Sequence, residues 1–275
     1  MTGTGTQADP YIVDTWSDFV TAAGKSGAYV EIAKNTVWDM NDILPGGLTT
    51  GVAVKCANIE GNFAEIRNIV KKSSYILSAN SSVEIYRLSF LNITETSGGE
   101  WFTQNGSGKS LNFYNCTITG MLSKGRFAEV NFSANSAYIR FMNDAQRGCN
   151  LNLVFSGNSA LCTRPAYIFF ENCLITLGGK SSYGSNDAVD FSKLDGCYIQ
   201  GKCPWERMKI TATGTNVFDL EIKKLNGTDS GNHKLNIVNF DKVGGWYPTS
   251  YAPTFVTGNQ LHDAEYLKSV GFPIL

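Results

Sequence analysis

The 275-residue sequence is poor in charged residues, in histidine and in long apolar runs. Charged residues make up 17%, and 23 basic against 24 acidic side chains leave a net charge of −1. This balance supplies no broad basic surface for nucleic acid. No apolar run approaches the roughly 18 residues of a membrane span. The two histidines, His233 and His262, lack the spacing of metal ligands. We therefore expect no nucleic-acid partner, no membrane partner, no bound metal and no cofactor.

The sequence also lacks a recognisable leader and a disulfide framework. Its first residues, MTGTGTQADPYIV, have neither the charged start nor the apolar run of a signal peptide, so we expect synthesis in the cytoplasm of a host cell. A mature form from which a leader had been removed would have the same features. The seven cysteines are an odd number and form no C-x-x-C pair, which favours buried free thiols. Glycine, at 28 residues, is abundant, and asparagine is frequent. Both residues tolerate left-handed backbone, which suits a protein of strands and tight turns.

A short pattern recurs along the chain. It reads apolar-x-apolar-x-Asn, where x is any residue. It is clearest in AYIRFMN (137–143) and AYIFFEN (166–172). Copies begin at Ala64, Leu88, Leu111, Ile139, Ile168 and Leu235, and the first five are separated by 24, 23, 28 and 29 residues. Alternation indicates a strand with one buried face, and the asparagine supplies a left-handed turn position. Repeated strands and turns at this period predict the stacked coils of a solenoid.

This periodicity resembles the right-handed parallel β-helix of the pectate-lyase-like superfamily, over about residues 50–245. The predicted fold class is all-β, with a short N-terminal capping helix and a short C-terminal helical tail. Between residues 172 and 235 the pattern weakens, and Val189–Phe191 and Gly196–Ile199 are its best remnants. The alternative fold is a β-sandwich whose asparagine-ended strands coincide by chance. A sandwich needs no fixed period and would show more two-residue hairpin signals.

The two ends of the chain differ from the repeat. We divide the chain into an N-terminal segment and cap (1–50), a β-helix (51–245) and an aromatic, proline-containing segment with a C-terminal helix (246–275). Residues 3–13 resemble the segment that precedes the first strand in many bacterial and phage β-helix proteins. A capping helix is expected to begin after Thr15, with Asp18 in its first turn, and to end at Gly24. Its predicted apolar side consists of Trp16, Phe19, Val20 and Ala23.

A second helix is predicted from about residue 259 to residue 270, because Gly271 and Pro273 would stop it there. Leu261, Ala264, Tyr266 and Leu267 are the residues that could pack onto the last coil or onto another subunit. This helix is therefore expected to cap the far end of the solenoid or to serve as a docking or trimerisation element.

The stretch from Ser185 to Asp190 resembles the N-T-D-x-x-D motif of polygalacturonase-type glycosidases. The resemblance would make Asp187, Asp190 and the nearby Asp195 the carboxylates of acid–base hydrolysis. The family then continues with an adjacent Asp pair, G-H-G and R-x-K. This chain has no adjacent Asp pair, and its R-x-K equivalent, at 207–209, precedes the candidate histidine. Catalysis is therefore an alternative, and turn formation is the first interpretation of these residues.

Five aromatic residues outside the alternating pattern are candidates for binding or for an interface. Exposed aromatic rings can stack on sugars or anchor a protein contact. The best of these candidates are Trp246, Tyr247 and Tyr251, which form a cluster next to two prolines. Packing within the loops of the coils is the simpler role for each residue alone. The five residues are Trp101, Trp205, Trp246, Tyr247 and Tyr251.

The sequence leads to one functional hypothesis and two alternatives. The first is a non-catalytic structural or receptor-binding protein of a bacteriophage virion, such as a tail or head fibre, a spike or a decoration subunit. The resemblance implies a homotrimer located in the virion, with other virion proteins as partners and a cell-surface glycan as a candidate ligand. The alternatives are a polysaccharide hydrolase or lyase and a bacterial surface adhesin.

Overall fold

The computed structural model describes most of the chain. The described residues are 1–131, 133–142, 148–162, 167–179, 189–202, 208–213, 216–222, 233–238, 254–255, 258–261 and 263–272. Only the backbone is described for residues 189–193, 202, 208–213, 220–222, 233–238, 254–255, 258 and 261.

Short strands dominate the secondary structure. In chain order the elements are β1 (Tyr11–Val13), α1 (Trp16–Ala23), β2 (Tyr29–Ile32), β3 (Val37–Asp39), α2 (Met40–Ile43), β4 (Val52–Val54), β5 (Asn58–Glu60), β6 (Glu65–Arg67), β7 (Val70–Lys71), β8 (Leu77–Ala79), β9 (Val83–Tyr86), β10 (Ser89–Glu95), β11 (Glu100–Gln104), β12 (Ser110–Tyr114), β13 (Thr117–Leu122), β14 (Arg126–Val130), β15 (Tyr138–Met142), β16 (Asn150–Phe155), β17 (Ile168–Glu171), β18 (Leu174–Gly179), β19 (Val189–Asp195), β20 (Tyr198–Lys202), β21 (Met208–Thr213), β22 (Val217–Ile222), β23 (His233–Val238), β24 (Thr254–Phe255), α3 (Gly258–Leu261) and α4 (Ala264–Ser269).

The strands form three sheets that run along a parallel β-solenoid of about six turns. Sheet A has the order β1-β2-β5-β9-β12-β15-β17-β19-β21, and sheet C has the order β14-β11-β8-β4. Sheet B has the order β24-β23-β22-β20-β18-β16-β13-β10-β6-β3, with β7 also paired to β10. Successive strands such as β9, β10 and β11 lie in sheets A, B and C, so the chain winds around a shared core. The predicted parallel β-helix is confirmed.

The alternating positions build that core. Phe113, Phe141 and Phe170 occupy successive rungs of sheet A and are all fully buried. Their rings stack, with centroids 4.8 Å apart between Phe113 and Phe141 and 5.3 Å apart between Phe141 and Phe170. Phe102 and Phe127 of sheet C pack against Phe141 from the side. The aromatic residues of the repeat therefore form a continuous column inside the solenoid.

The four repeat asparagines that the structure describes occupy the predicted left-handed turn positions, but they do not form a single series. Asn115 (φ 53°) and Asn172 (φ 52°) follow strands of sheet A. Asn68 (φ 59°) follows a strand of sheet B and Asn92 (φ 56°) lies within one, and the Asn92 side chain donates to the Asn68 side-chain oxygen at 3.3 Å. These two side chains therefore form one step of an amide ladder along sheet B. Asn115 does not belong to this ladder, because it follows a strand of sheet A, and two corners of each coil carry the same left-handed residue.

The last copy of the repeat, beginning at Leu235, is not a further rung of the parallel stack. It lies on β23, which pairs antiparallel with β22, and β24 pairs antiparallel with β23. The prediction that this copy continues the coils is therefore wrong. The alternating pattern identifies a strand with one buried face, but it does not specify the direction of the strand. By contrast, the weak remnants of the repeat lie on the parallel strands β19 and β20.

The N-terminal helix covers the first coil. The Thr15 hydroxyl accepts a hydrogen bond from the Asp18 amide at 3.2 Å, and the helix ends at Gly24, as predicted. Its buried residues are Phe19, Ala22 and Ala23. The prediction that Val20 belongs to the buried side is wrong, since its side chain is 38% exposed. Ala22 lies on the buried side of the helix instead.

The C-terminal helical region consists of two short helices where the sequence predicted one. The Asp263 side chain caps α4 by accepting from the amides of Glu265 and Tyr266. Leu267 is buried in a cluster with Val217 of β22. Packing of Leu267 onto the last coils is therefore confirmed. Within the described part of the chain, no helix is long and apolar enough to cross a membrane.

The described cysteines are buried free thiols, as the odd count predicted. The thiol of Cys173 donates to the Phe141 carbonyl, and that of Cys197 donates to the Phe170 carbonyl. Burial raises the pKa of Cys56 to about 12. The Cys56 thiol therefore remains protonated at neutral pH. The described cysteines act as small core residues.

Candidate functional site

The carboxylates of the enzyme hypothesis are only partly described. Asp187 lies outside the described residues, and Asp190 is described only by its backbone in β19. Asp195 ends β19, and its carbonyl oxygen accepts from the Asn172 amide at 2.7 Å. This contact is made by the main-chain oxygen of Asp195 at a corner of the coil, and it does not involve the carboxylate.

The predicted aromatic candidates also fall largely outside the described residues, namely Trp205, Trp246, Tyr247 and Tyr251. Trp101 is described, and it is fully buried, with its ring edge-on to Phe127 at a centroid distance of 5.9 Å. The expectation that Trp101 is an exposed binding residue is therefore wrong. Strand β11 does not alternate strictly, since Trp101 and its neighbour Phe102 are both in the core.

A cluster that the sequence analysis did not identify lies on the outer side of sheet A, across the four rungs β9, β12, β15 and β17. Its inward neighbours, such as Ile85 and Phe113, are fully buried, so alternation turns the intervening side chains outward. We call this surface the aromatic face. It consists of Glu84, Tyr86, Tyr114, Tyr138, Arg140, Phe169 and Glu171.

Two tyrosines on adjacent rungs form one half of the aromatic face. The rings of Tyr86 and Tyr114 stack with centroids 4.4 Å apart and an interplanar angle of 5°. The Tyr86 hydroxyl donates to the Glu84 carboxylate at 2.9 Å. On the same side, the Arg87 guanidinium lies 5.6 Å from the centre of the Tyr86 ring and pairs with Glu60. These contacts fix the orientation of both phenol groups.

Arg140 organises the other half. Its guanidinium carbon lies 4.8 Å from the centre of the Tyr138 ring and 5.5 Å from that of Phe169. Its Nε lies 3.3 Å from a carboxylate oxygen of Glu171, and 38% of the Arg140 side chain remains exposed. Arginine contacts to aromatic faces are each worth about 0.5–1 kcal/mol at exposed sites. Arg140 is thus positioned by its neighbours and remains partly exposed, although its Nε is buried.

The phenol groups of Tyr86 and Tyr114 act as neutral hydrogen-bonding groups at neutral pH. Burial raises the pKa of Tyr114, and the Glu84 carboxylate adds to the effect, while Arg140 opposes it. Burial also raises the pKa of Tyr86, reinforced by its hydrogen bond to Glu84. The aromatic face combines aromatic rings, hydroxyl groups, a cation and two carboxylates. This combination suits a ligand with apolar ring faces and many hydroxyl groups.

Sheet C carries a second polar cluster, Glu100, Arg126 and Glu129. One terminal nitrogen of Arg126 donates to both carboxylates, and the side chains of Glu100 and Glu129 are only 17% and 18% exposed. Burial raises the pKa of Glu100 to about 7, and the neighbouring Glu129 adds to this shift while Arg126 opposes it. Paired carboxylates resemble the parts of a hydrolase, but here both are engaged by the same arginine. The cluster is therefore a structural ion triad.

We expect Glu100→Gln to stabilise the protein at pH 8 by about 1 kcal/mol, a value reduced for partial solvent exposure. The raised pKa means that folded Glu100 binds a proton that the unfolded chain has released. Its contribution to stability is therefore complete below about pH 4.5 and is lost as the pH rises through about 7. Urea unfolding of both proteins between pH 4.5 and 8 measures the difference. A stability difference that stays constant or shrinks with increasing pH would contradict this account, and Glu65→Gln serves as a control on sheet B.

The described residues contain no group of three or more histidine, cysteine or acidic side chains placed to hold a metal ion. The aromatic face combines aromatic rings, hydroxyl groups, a cation and two carboxylates on one described surface. The sequence signal for it was the set of outward positions in each repeat, which carry Tyr86, Tyr114, Tyr138 and Phe169. No protein-family model, no curated protein and no solved structure matches this chain.

Proposed function

We propose that this chain is a non-catalytic structural or receptor-binding protein of a bacteriophage virion, which uses the aromatic face to bind a cell-surface glycan. In this proposal it serves as a subunit of a tail or head fibre, a spike or a decoration protein, and it acts as a homotrimer. The virion and trimer parts follow from the resemblance of the N-terminal segment and the coils to phage β-helix proteins. The aromatic face is the observation that carries the glycan-binding part.

Three properties of the aromatic face support a glycan ligand. First, its side chains project from four adjacent hydrogen-bonded strands, so they are held about 4.8 Å apart from rung to rung. Second, the contacts among Tyr86, Tyr114 and Glu84 order these groups before any ligand arrives, which lowers the entropy cost of binding. Third, Arg140 places a charged donor beside the half-buried rings of Tyr138 and Phe169, and a hydrogen bond to a charged group contributes about 1.5–3 kcal/mol.

We expect Arg140→Gln to weaken glycan binding by at least about tenfold, since it removes a charged donor from the aromatic face. The measurement is a binding screen of the purified protein on a panel of capsular and other surface polysaccharides, followed by titration of each ligand found. Lys124→Gln is the matched control, because it removes a cation from an exposed position away from this face. Equal affinity of Arg140→Gln and wild type for every ligand would place the binding site elsewhere, and binding to no polysaccharide would overturn the proposal.

The same polysaccharides distinguish this proposal from the enzyme alternative. A non-catalytic protein leaves the polymers intact, so we expect neither new reducing ends nor the absorbance of unsaturated uronates. Robust turnover that Asp187→Asn abolishes would establish a hydrolase or lyase and overturn the non-catalytic proposal. Turnover that Asp187→Asn leaves unchanged would overturn it equally and would move the search for catalytic residues to other positions.

A further inference from the structure

Two buried polar atoms at the aromatic face make no hydrogen bond. Asn112 of β12 lies between the inward residues Leu111 and Phe113, so its side chain belongs to the outer side of sheet A, yet it is only 7% exposed. Its amide nitrogen donates to the Ser110 hydroxyl at 3.3 Å, whereas its Oδ1 is buried and accepts no hydrogen bond. The second atom is the buried Nε of Arg140, which donates no hydrogen bond.

These two atoms belong to neighbouring rungs of the solenoid. Asn112 and Arg140 pair in the parallel register of β12 and β15, so their backbones lie about 4.8 Å apart. A buried polar atom without a hydrogen bond costs free energy, and each one in a folded protein requires an explanation. Here one atom is an acceptor and its neighbour is a donor. They therefore define a place for a single ligand group that donates to Asn112 and accepts from Arg140.

The carboxylates on either side exclude a charged group. Glu84 pairs with Asn112 in the register of β9 and β12, and a Glu171 oxygen lies 3.3 Å from the Arg140 Nε. An anionic ligand group would be repelled by both carboxylates and would bring no proton for the Asn112 oxygen. An ammonium group has no acceptor for Arg140. The group that fits is therefore neutral and is both a donor and an acceptor, as a hydroxyl or a secondary amide is.

The rings beside Arg140 favour the amide. The guanidinium carbon lies 4.8 Å from the centre of the Tyr138 ring and 5.5 Å from that of Phe169, so the donor is flanked by apolar surface. An acetamido group combines an N–H donor, a carbonyl acceptor and a methyl group, and the methyl group can pack against such a ring. A hydroxyl group has the donor and the acceptor but no apolar part.

A ligand reaches the two atoms by displacing side chains, and the backbone does not need to move. The Arg140 side chain is 38% exposed and lies next to Asn112 in the register, so its rotation uncovers both Asn112 Oδ1 and its own Nε. Changes of side-chain rotamer on binding are common even where the backbone stays fixed.

We propose that the aromatic face recognises an N-acetylated amino sugar, whose acetamido N–H donates to Asn112 Oδ1 and whose acetamido carbonyl accepts from Arg140. The inference rests on the proposed function, because it names the class of sugar that the glycan site takes. It also assigns a specificity-determining role to Asn112.

Saturation-transfer NMR of the full chain with monosaccharides tests the proposal independently of the linkages in any polymer. The ligand pairs are N-acetylglucosamine with glucose and N-acetylgalactosamine with galactose, which differ only in the acetamido group. We expect the acetyl methyl protons to receive the strongest saturation, and each N-acetylated sugar to bind at least about tenfold more tightly than its partner. Equal affinity within both pairs would overturn the inference, as would the absence of binding by both N-acetylated sugars at about 50 mM.

Asn112→Leu keeps a similar side-chain volume and removes the acceptor, so we expect the preference for N-acetylglucosamine over glucose to disappear. Asn152→Leu is the matched control, because it makes the same change at an exposed position of sheet B, and it should keep the preference. A preference that survives in Asn112→Leu would overturn the role of Asn112. The comparison of paired sugars uses wild type, so it decides the proposal even if Asn112→Leu does not fold.

The polysaccharide screen separates this inference from the proposed function. Chain binding to a polysaccharide without acetamido groups, weakened by Arg140→Gln, would retain the glycan site and overturn only the choice of sugar. Binding to no polysaccharide would overturn the proposed function and this inference together. Loss of binding when a bound polysaccharide is de-N-acetylated, and its recovery after chemical re-acetylation, is the result that we expect.

Discussion

Replacing Lys71 by methionine is expected to lower the free energy of unfolding by about 3–5 kcal/mol, because it leaves a carboxylate buried without its cation. Lys71 and Glu95 are both completely buried, and Lys71 Nζ lies 3.2 Å from a carboxylate oxygen of Glu95. The ammonium group also donates to the carbonyls of Gly98 at 3.0 Å and Ser97 at 3.4 Å. The second Glu95 oxygen accepts from the Gly125 amide at 3.2 Å. Removing the cation therefore disrupts an interaction that joins three successive coils.

The double replacement separates the ion pair from the packing. Lys71→Met combined with Glu95→Met removes both charges and keeps similar side-chain volumes, so we expect it to cost much less than Lys71→Met alone. Urea unfolding of wild type, both single variants and the double variant gives the coupling energy. Lys72→Met is the control, since Lys72 is the exposed neighbour of Lys71 and should change stability by no more than about 0.5 kcal/mol. A double variant as unstable as Lys71→Met would show that packing, rather than the pairing of charges, determines the loss.

The spacing of this pair shows how far sequence reasoning can reach in a solenoid. Lys71 and Glu95 are 24 residues apart and pair in the parallel register of β7 and β10. That spacing equals the step between the first two copies of the repeat, at Ala64 and Leu88. The period of the repeat therefore predicts that Lys71 and Glu95 lie next to each other on adjacent coils. It did not show that they point inward, because charged residues are rarely fully buried and alternation alone assigns them to the surface.

The fold was predictable because every coil must contribute inward-facing apolar residues to the same core. Two corners of the coil combine a buried alternating pair with a left-handed residue, and the described residues at these positions are Asn68, Asn92, Asn115 and Asn172. The assignment of copies to sheets was not predictable, because two corners use the same pattern. Direct comparison of copies thus placed residues of sheet A and sheet B in one series.

The aromatic face could not be predicted from the repeat, because its residues do not repeat. Outward positions experience no common constraint, so their residues change from rung to rung, as Arg140 and Phe169 do at paired positions of β15 and β17. A search for repetition discards these positions, although they are the ones that the proposed glycan would contact. Trp101 illustrates the converse error, because a large aromatic residue outside the pattern was taken for a surface residue and lies in the core.

Phe141, the phenylalanine of AYIRFMN, is the core residue whose truncation we expect to be most costly. Phe141→Ala should lower the free energy of unfolding by about 3–5 kcal/mol, the range for deleting a buried phenyl ring and leaving a cavity. Phe141 is fully buried and contacts Phe113 and Phe170 above and below. From sheet C, Phe102 and Phe127 contact it at centroid distances of 6.2 Å and 5.1 Å.

The cavity cannot close easily, because neighbours on both sides are held in hydrogen-bonded strands of adjacent coils. Phe141→Leu keeps most of the apolar volume and should cost less than half as much as Phe141→Ala. Phe63→Ala is the control, since the Phe63 side chain is 74% exposed and its loss should change stability by no more than about 0.5 kcal/mol. Urea unfolding, combined with hydrogen exchange of the amides of β12, β15 and β17, measures both the size and the location of the loss. If Phe141→Ala cost no more than Phe63→Ala, the aromatic column would not be what holds the central coils together.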